Sequence, residues 1–287
     1  MPRIPRLLTN HPKAAYHVIS RTALPGHDVL GNEEKDHLLN LIRWLSQVYF
    51  VEVYGFAIMG NHFHLLCRML PENQFSDEEV IRRIKLYYRD KRKVFIYEEL
   101  IARWRTRLAS LSRYIQDIKQ RFSRWFNKRV DRKGYFWADR FKSVIIETGE
   151  ALLNCLAYIE LNPVRAGIVE KPEDYRWCSL GYRARRGTGE NFLSLDLGLP
   201  SYAGKSDQEK FKLYREFVHG KGGIGESEKF DNPQKFRYRM KYFSESIAIG
   251  TQQFITEVSN KFQQFLRFKH KRRKNINLTG SLLVNLK

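Results

Sequence analysis

The stretch VEVYGFAIMGNHFHLLCRM (51–69) holds two short runs rich in aromatic and β-branched residues, separated by Gly60 and Asn61. Glycine and asparagine between such runs mark a turn, so the stretch reads as strands at 51–59 and 62–69 that can pair as a hairpin. The second strand carries His62 and His64 within an apolar sequence. Side chains two apart on a strand share a face, so both imidazoles project together while Phe63 projects to the other side. Two imidazoles on one face can hold one divalent metal, with oxygen ligands completing the sphere; by themselves, though, they are more simply two hydrogen-bonded core histidines, or one buried and one exposed.

Outward from this hairpin, YHVISRT (16–22) alternates as a strand and EEKDHLLNLIRWLSQVYF (33–50) has apolar positions at helical spacing. From 76 to 129 the pattern is helical and strongly basic, which reads as a basic helical insertion at about 76–133. YFWADRFKSVIIE (135–147) reads as a turn leading into a strand, followed by a helix with Thr148 as its N-cap, Glu150 in its first turn and Leu152, Leu156 and Ile159 on one side. That helix should end near Asn162, because Pro163 disfavours the α region for the residue before it. The order implies an α+β fold with helices packed on a mostly antiparallel sheet. Periodicity is lost over 183–207, which reads as a linker between a first domain at 1–182 and a mainly helical, basic C-terminal extension at 208–287. Its cluster KHKRRK (269–274) is either a disordered tail or a phosphate-contacting arm.

Lys and Arg number 51 against 31 Asp and Glu, a formal charge of +20, which points to a polyanionic partner. Fifteen tyrosines, nineteen phenylalanines and five tryptophans suit a groove that neutralises phosphates and stacks unpaired bases, although aromatics also build cores. Nucleic acid is favoured over an anionic membrane, since no long basic amphipathic anchor or lipidation signal is evident. No apolar run is long enough for a membrane span, and the three cysteines are too scattered for a disulfide framework or zinc knuckle. A reducing cytoplasm is the expected setting.

In LAYIELNPVRAGIV (156–169), Tyr158 and Asn162 are four apart, one above the other on a helix face, with Asn154 a turn earlier. A phenol beside a carboxamide can present a nucleophile and an oxygen ligand to one metal; alternatively, Tyr158 is a surface tyrosine over a helix end stopped by Pro163.

Taken together, GFAIMGNHFHLL, GYFWADRFKS, AYIELNPVRAGIV and DYRWCSLGYR resemble, in order, the motifs of the REP-associated tyrosine transposases of the HUH endonuclease superfamily. The resemblance spans 16–182 and implies a ferredoxin-like (RRM-like) core. It implies that His62 and His64 bind a divalent metal, Mg2+ or Mn2+, that Tyr158 is the nucleophile and that Asn162 completes the metal site. It differs at Gly60, where the family usually has proline, and at Phe122 and Phe126, where many relatives have tyrosine. The implied substrate is single-stranded or hairpin DNA, nicked and rejoined through a 5′-phosphotyrosine, with a homodimer among the expectations. Expected DNA contacts are the platforms Trp137, Phe136 and Trp125 and the cations Arg121, Arg124, Arg140, Lys142 and Arg165, with Lys142 or a metal-bound water as the base. The alternative functions are a non-catalytic DNA-hairpin binding protein of the same fold and an RNA-binding module.

Overall fold

The computed structural model describes residues 8–9, 11–24, 27–89, 95–187, 192–222, 242–272 and 283–285, with side chains described up to 262. Its centre is the strand β1 (Ala14–Arg21), whose first seven residues are all buried. A strand covered on both faces cannot alternate cleanly between apolar and polar, and its polar members, His17 and Ser20, are buried with the rest. Helix α1 (Asn32–Val48) leads to the hairpin of β2 (Val51–Ile58) and β3 (His62–Met69). The turn closes through Met59 N–H to the His62 carbonyl at 2.8 Å, and the Gly60 carbonyl accepts from Leu30 N–H at 2.8 Å, so glycine at 60 leaves the hairpin in register.

Three helices follow, α2 (Asp77–Tyr88), α3 (Glu98–Leu108) and α4 (Leu111–Arg129), then β4 (Lys142–Glu147). Ser76 caps α2 and Ser110 caps α4, each accepting a main-chain N–H three residues on. The sheet runs β2-β3-β1-β4, with all three pairings antiparallel. With α1 and α4 packed together as the crossover helices, this is a β-α-β-β-α-β core. The basic segment read as an insertion therefore divides. Its last helix, α4, belongs to the core, burying Tyr114, Ile118, Phe122 and Phe126 at four-residue spacing, and only α2 and α3 are additional.

Register assigns the faces. Phe63, Leu65 and Cys67 on β3 point toward α1 and α4, whereas His62, His64 and Leu66 point the other way, beside Arg21, Ile19 and His17 of β1. This second face is covered by α5 (Glu150–Glu160), which is buried all round except at Glu150, Asn154 and Tyr158. The N-cap of α5 is Gly149, not Thr148. Its φ of 98° is a conformation that β-branched threonine strongly resists, and its N–H donates to the Leu197 carbonyl at 2.7 Å. A short helix, α6 (Asn162–Arg165), continues past the break at Leu161.

After α7 (Ser179–Arg186), the segment expected to be a linker is tied to the core. Leu193 and Ser194 meet β2 at Val53, whose carbonyl accepts from Ser194 N–H at 2.7 Å, the Leu197 carbonyl accepts from Gly149 N–H, and Leu193, Leu195 and Leu197 are buried in alternation. The C-terminal part is helical, with α8 (Asp207–Gly222) and α9 (Gln252–Arg272), and it also extends the sheet. There β5 (Ala248–Gly250) pairs parallel to β4 and β6 (Leu283–Asn285) parallel to β5. The side chains of the 269–274 basic cluster lie outside the described residues. Among the described residues no helix is long and apolar enough to cross a membrane.

Candidate active site

The hairpin, α5 and α6 bring together five of the expected site residues: His62, His64, Tyr158 and Arg165, with Asn162 bonded to the Tyr158 carbonyl. His62 and His64 ring centroids are 4.9 Å apart, and the Tyr158 ring lies 5.9 Å from His64. Tyr158 is held between Arg165, whose guanidinium carbon is 4.5 Å above the ring, and Phe243, stacked at 5.2 Å. Arg165 also donates to the Tyr158 carbonyl at 2.9 Å, and Asn162 Nδ2 donates to the carbonyls of Tyr158 and Ile159 at 3.2 and 3.1 Å. These bonds add acceptor partners at the end of α5, where the regular helical donors run out. They leave Oδ1 as the atom of Asn162 with lone pairs to offer.

The imidazoles suit a metal. His62 Nδ1 is 2.6 Å from Asn61 Oδ1, an acceptor, so its hydrogen sits on Nδ1 and its lone pair on Nε2. His64 Nδ1 is engaged by His17 Nε2 at 2.8 Å, so Nε2 is again the nitrogen left for a ligand bond. Hydrogen-bonding the far ring nitrogen is how ligand histidines are usually oriented. Burial, reinforced by Arg21, pushes the His62 pKa down to about 4, and burial with the neighbouring cations and imidazoles holds His64 well below the usual range. Both rings are therefore neutral at physiological pH, the form that ligates. Among the described residues no group of three His, Cys, Asp or Glu side chains could hold a metal, so two imidazoles would need oxygen from Asn162 or from a substrate.

Burial raises the Tyr158 pKa above the usual phenol value, while Arg165 and Arg21 oppose that rise. Burial lowers Arg165 to about 10, still charged at neutral pH, and its Nη1 is buried without a partner. The full charges acting on the histidines and the phenol are thus cationic, an environment that favours a bound anion.

No protein-family model and no curated protein matches the chain. The chain is similar to a solved structure. That structure is of a REP-associated tyrosine transposase bound to a REP hairpin, with a TM-score of 0.43 and 13% identity, covering 69% of this chain and 96% of that one.

The remaining expected contacts do not join the cluster. Lys142 shares the histidine face but pairs with Ile19, which pairs with His64, so it stands two strands away, roughly 10 Å at the usual strand spacing. Arg140 is exposed in the turn before β4. Arg121 and Arg124 lie on α4, on the opposite side of the sheet, where Arg121 stacks over Trp44 and Tyr87 at 4.7 and 4.6 Å. Trp137, expected as a stacking platform, is instead core. It is buried against Phe63, Phe122 and Phe136, and its Nε1 donates to the Lys119 carbonyl at 3.1 Å. Phe136 is buried with it, and Trp125 stacks on His37 at 3.9 Å.

Three residues of the cluster escaped sequence reading: His17, Arg21 and Phe243. The first two alternate with Ile19 along β1, so a strand with its buried face opposite the histidines could have flagged them. Phe243 carries no such signal, since only the fold returns it to β1.

Proposed function

We propose that the protein is a metal-dependent enzyme that nicks and joins single-stranded or hairpin DNA through Tyr158. The observation that carries this reading is the meeting, on one cationic face, of a phenol with two neutral imidazoles whose Nε2 lone pairs are uncommitted. His62, His64 and Asn162 Oδ1 would hold a divalent magnesium or manganese ion, which when bound supplies Lewis-acid polarisation of a phosphate. Arg165 and Arg21 supply charge for the phosphodiester, and the buried, unpartnered Arg165 Nη1 is a donor that a phosphate oxygen would satisfy. The Tyr158 oxygen, once its proton is lost, attacks phosphorus. The bond to the 3′ oxygen breaks as that oxygen takes up a proton, which balances the one given up by Tyr158 and leaves a 5′-phosphotyrosine and a 3′-hydroxyl, and the reverse attack rejoins a strand. Keeping the phosphate bonded to the protein conserves the phosphodiester for rejoining, so no separate energy source is needed.

The test is incubation of labelled hairpin DNA with the protein and Mn2+, followed by a denaturing gel. A covalent adduct is expected from the wild type and none from Tyr158→Phe. Equal cleavage by the two would remove Tyr158 as nucleophile. Tight hairpin binding without any adduct would favour a DNA-binding protein that retains the fold.

A further inference from the structure

We propose that His17 is a positioning residue that fixes the tautomer of His64, and that its own tautomer is set by the main-chain carbonyl of Phe243 in the C-terminal extension. The proposal rests on the reading of His64 as a metal ligand.

The direction of each hydrogen bond follows from what each atom can do. His17 Nδ1 lies 2.7 Å from the Phe243 oxygen, and a carbonyl only accepts, so the His17 hydrogen is on Nδ1. His17 is wholly buried, and its partners among the described residues are a main-chain carbonyl and an imidazole with no carboxylate, so the ring is neutral and has one hydrogen to place. Its Nε2 then holds a lone pair and can only accept. The hydrogen in the 2.8 Å contact with His64 therefore comes from His64 Nδ1. His64 is buried too, with that imidazole and no carboxylate as its hydrogen-bond partner among the described residues, so it also has one hydrogen; with that hydrogen on Nδ1 its Nε2 is bare, the state in which it can bind a metal.

Ring geometry agrees with this chain. The two rings are inclined by 19° with centroids 5.0 Å apart while the nearest nitrogens are at 2.8 Å, as when rings meet edge to edge and share an in-plane hydrogen bond. Both of the nitrogens of His17 are spent, so it is a support and not a third ligand. Without it, His64 would be free to carry its hydrogen on Nε2, which blocks the ligand nitrogen.

The chain also gives the extension a part in the site. Phe243 lies 226 positions after His17 in sequence, yet its carbonyl orients His17 and its ring stacks on Tyr158. One short segment thus touches both the support of a ligand and the nucleophile.

The test uses the full chain, with histidine nitrogen NMR of the metal-free protein and direct titration with Mn2+. In the wild type the His64 hydrogen should be on Nδ1. His17→Phe should move it to Nε2 and weaken Mn2+ binding about 10- to 100-fold, the usual loss when a ligand's support is removed. His17→Gln, which keeps an acceptor and a donor in one group, should recover most of that affinity. The proposal is overturned if wild-type His64 carries its hydrogen on Nε2, if His17→Phe alters neither tautomer nor affinity, or if His17→Gln binds as weakly as His17→Phe. The nicking reading fails separately, by absence of a covalent adduct. Should the wild type bind no Mn2+, the metal assignment falls and the tautomer measurement alone decides whether His17 acts as described.

Discussion

Gly55 on β2 sits where α5 crosses the sheet, and the substitution Gly55→Ala should uncouple Tyr158 from the histidines without touching either. A methyl there would lie 2.3 Å from Leu156 Cδ1 and 2.6 Å from Ser179 Oγ. The first distance is more than about 1 Å short of ordinary carbon contact. Neither neighbour can yield cheaply. Leu156 is buried, and Ser179 Oγ donates to Glu160 Oε1 at 2.5 Å while accepting from Phe56 N–H at 3.0 Å. The helix itself must move, and Tyr158 is two residues beyond Leu156. Overpacking of this kind costs about 1–3 kcal/mol. Loss of glycine's freedom in the unfolded chain offsets about 0.4–1 kcal/mol. A net loss of about 1–2 kcal/mol should lower Tm by about 2–4 °C per kcal/mol. A displacement of about 1 Å at a reacting group can cost on the order of 10²-fold in rate. Single-turnover adduct formation, measured at a temperature where the variant is fully folded, should therefore fall by about that factor, with hairpin affinity little changed. An unaltered adduct rate in the folded variant would refute the claim that α5 is held in place by the absence of a side chain at position 55.

Arg165→Gln removes the cation that opposes the rise of the Tyr158 pKa, so the phenolate fraction at a given pH should fall and the pH–rate profile of adduct formation should move to higher pH. An unmoved profile would show that Arg165 does not act on the phenol. Glu160 is fully buried and accepts from Ser179 Oγ, Leu180 N–H and Tyr214 Oη. Glu160→Ala should therefore destabilise by at least about 3 kcal/mol in urea unfolding, at about 1–3 kcal/mol per orphaned buried donor, and a loss under about 1 kcal/mol would contradict this network. Arg121 and Arg124 face away from the histidines, so replacing both with Gln should reduce the salt slope of hairpin binding by about 1–2 and leave single-turnover cleavage at saturating DNA unchanged. An unchanged slope would take α4 out of the interface.

The β2–β3 hairpin was legible because strand periodicity, the Gly60–Asn61 turn and a change of composition all coincide within nineteen residues. The same periodicity puts His62 and His64 on one face, and helical spacing pairs Tyr158 with Asn162. Elsewhere a local rule met a tertiary one. Thr148 satisfies the composition of an N-cap, but the chain must turn through a positive φ to reach α5, and Gly149 does that. Trp137 beside cations reads as a stacking platform, yet a large ring next to the sheet lowers the free energy more by burial against Phe63 and Phe122. The alternation of Leu193, Leu195 and Leu197 lay in a stretch read as a linker, and only the fold gave it partners, with Leu193 at the edge of β2 and Leu197 at the start of α5.

The sequence by itself determined the charge, the antiparallel α+β pattern and the pairing of residues near one another along strands and helices, because these depend on composition and on periods of two and 3.6. Tertiary structure decided which face of the sheet each helix covers, and so which cations share a side with the histidines. It also decided that a carbonyl near the C-terminal end orients His17 behind His64. Such contacts join segments remote in sequence, and no local propensity records where a folded chain returns.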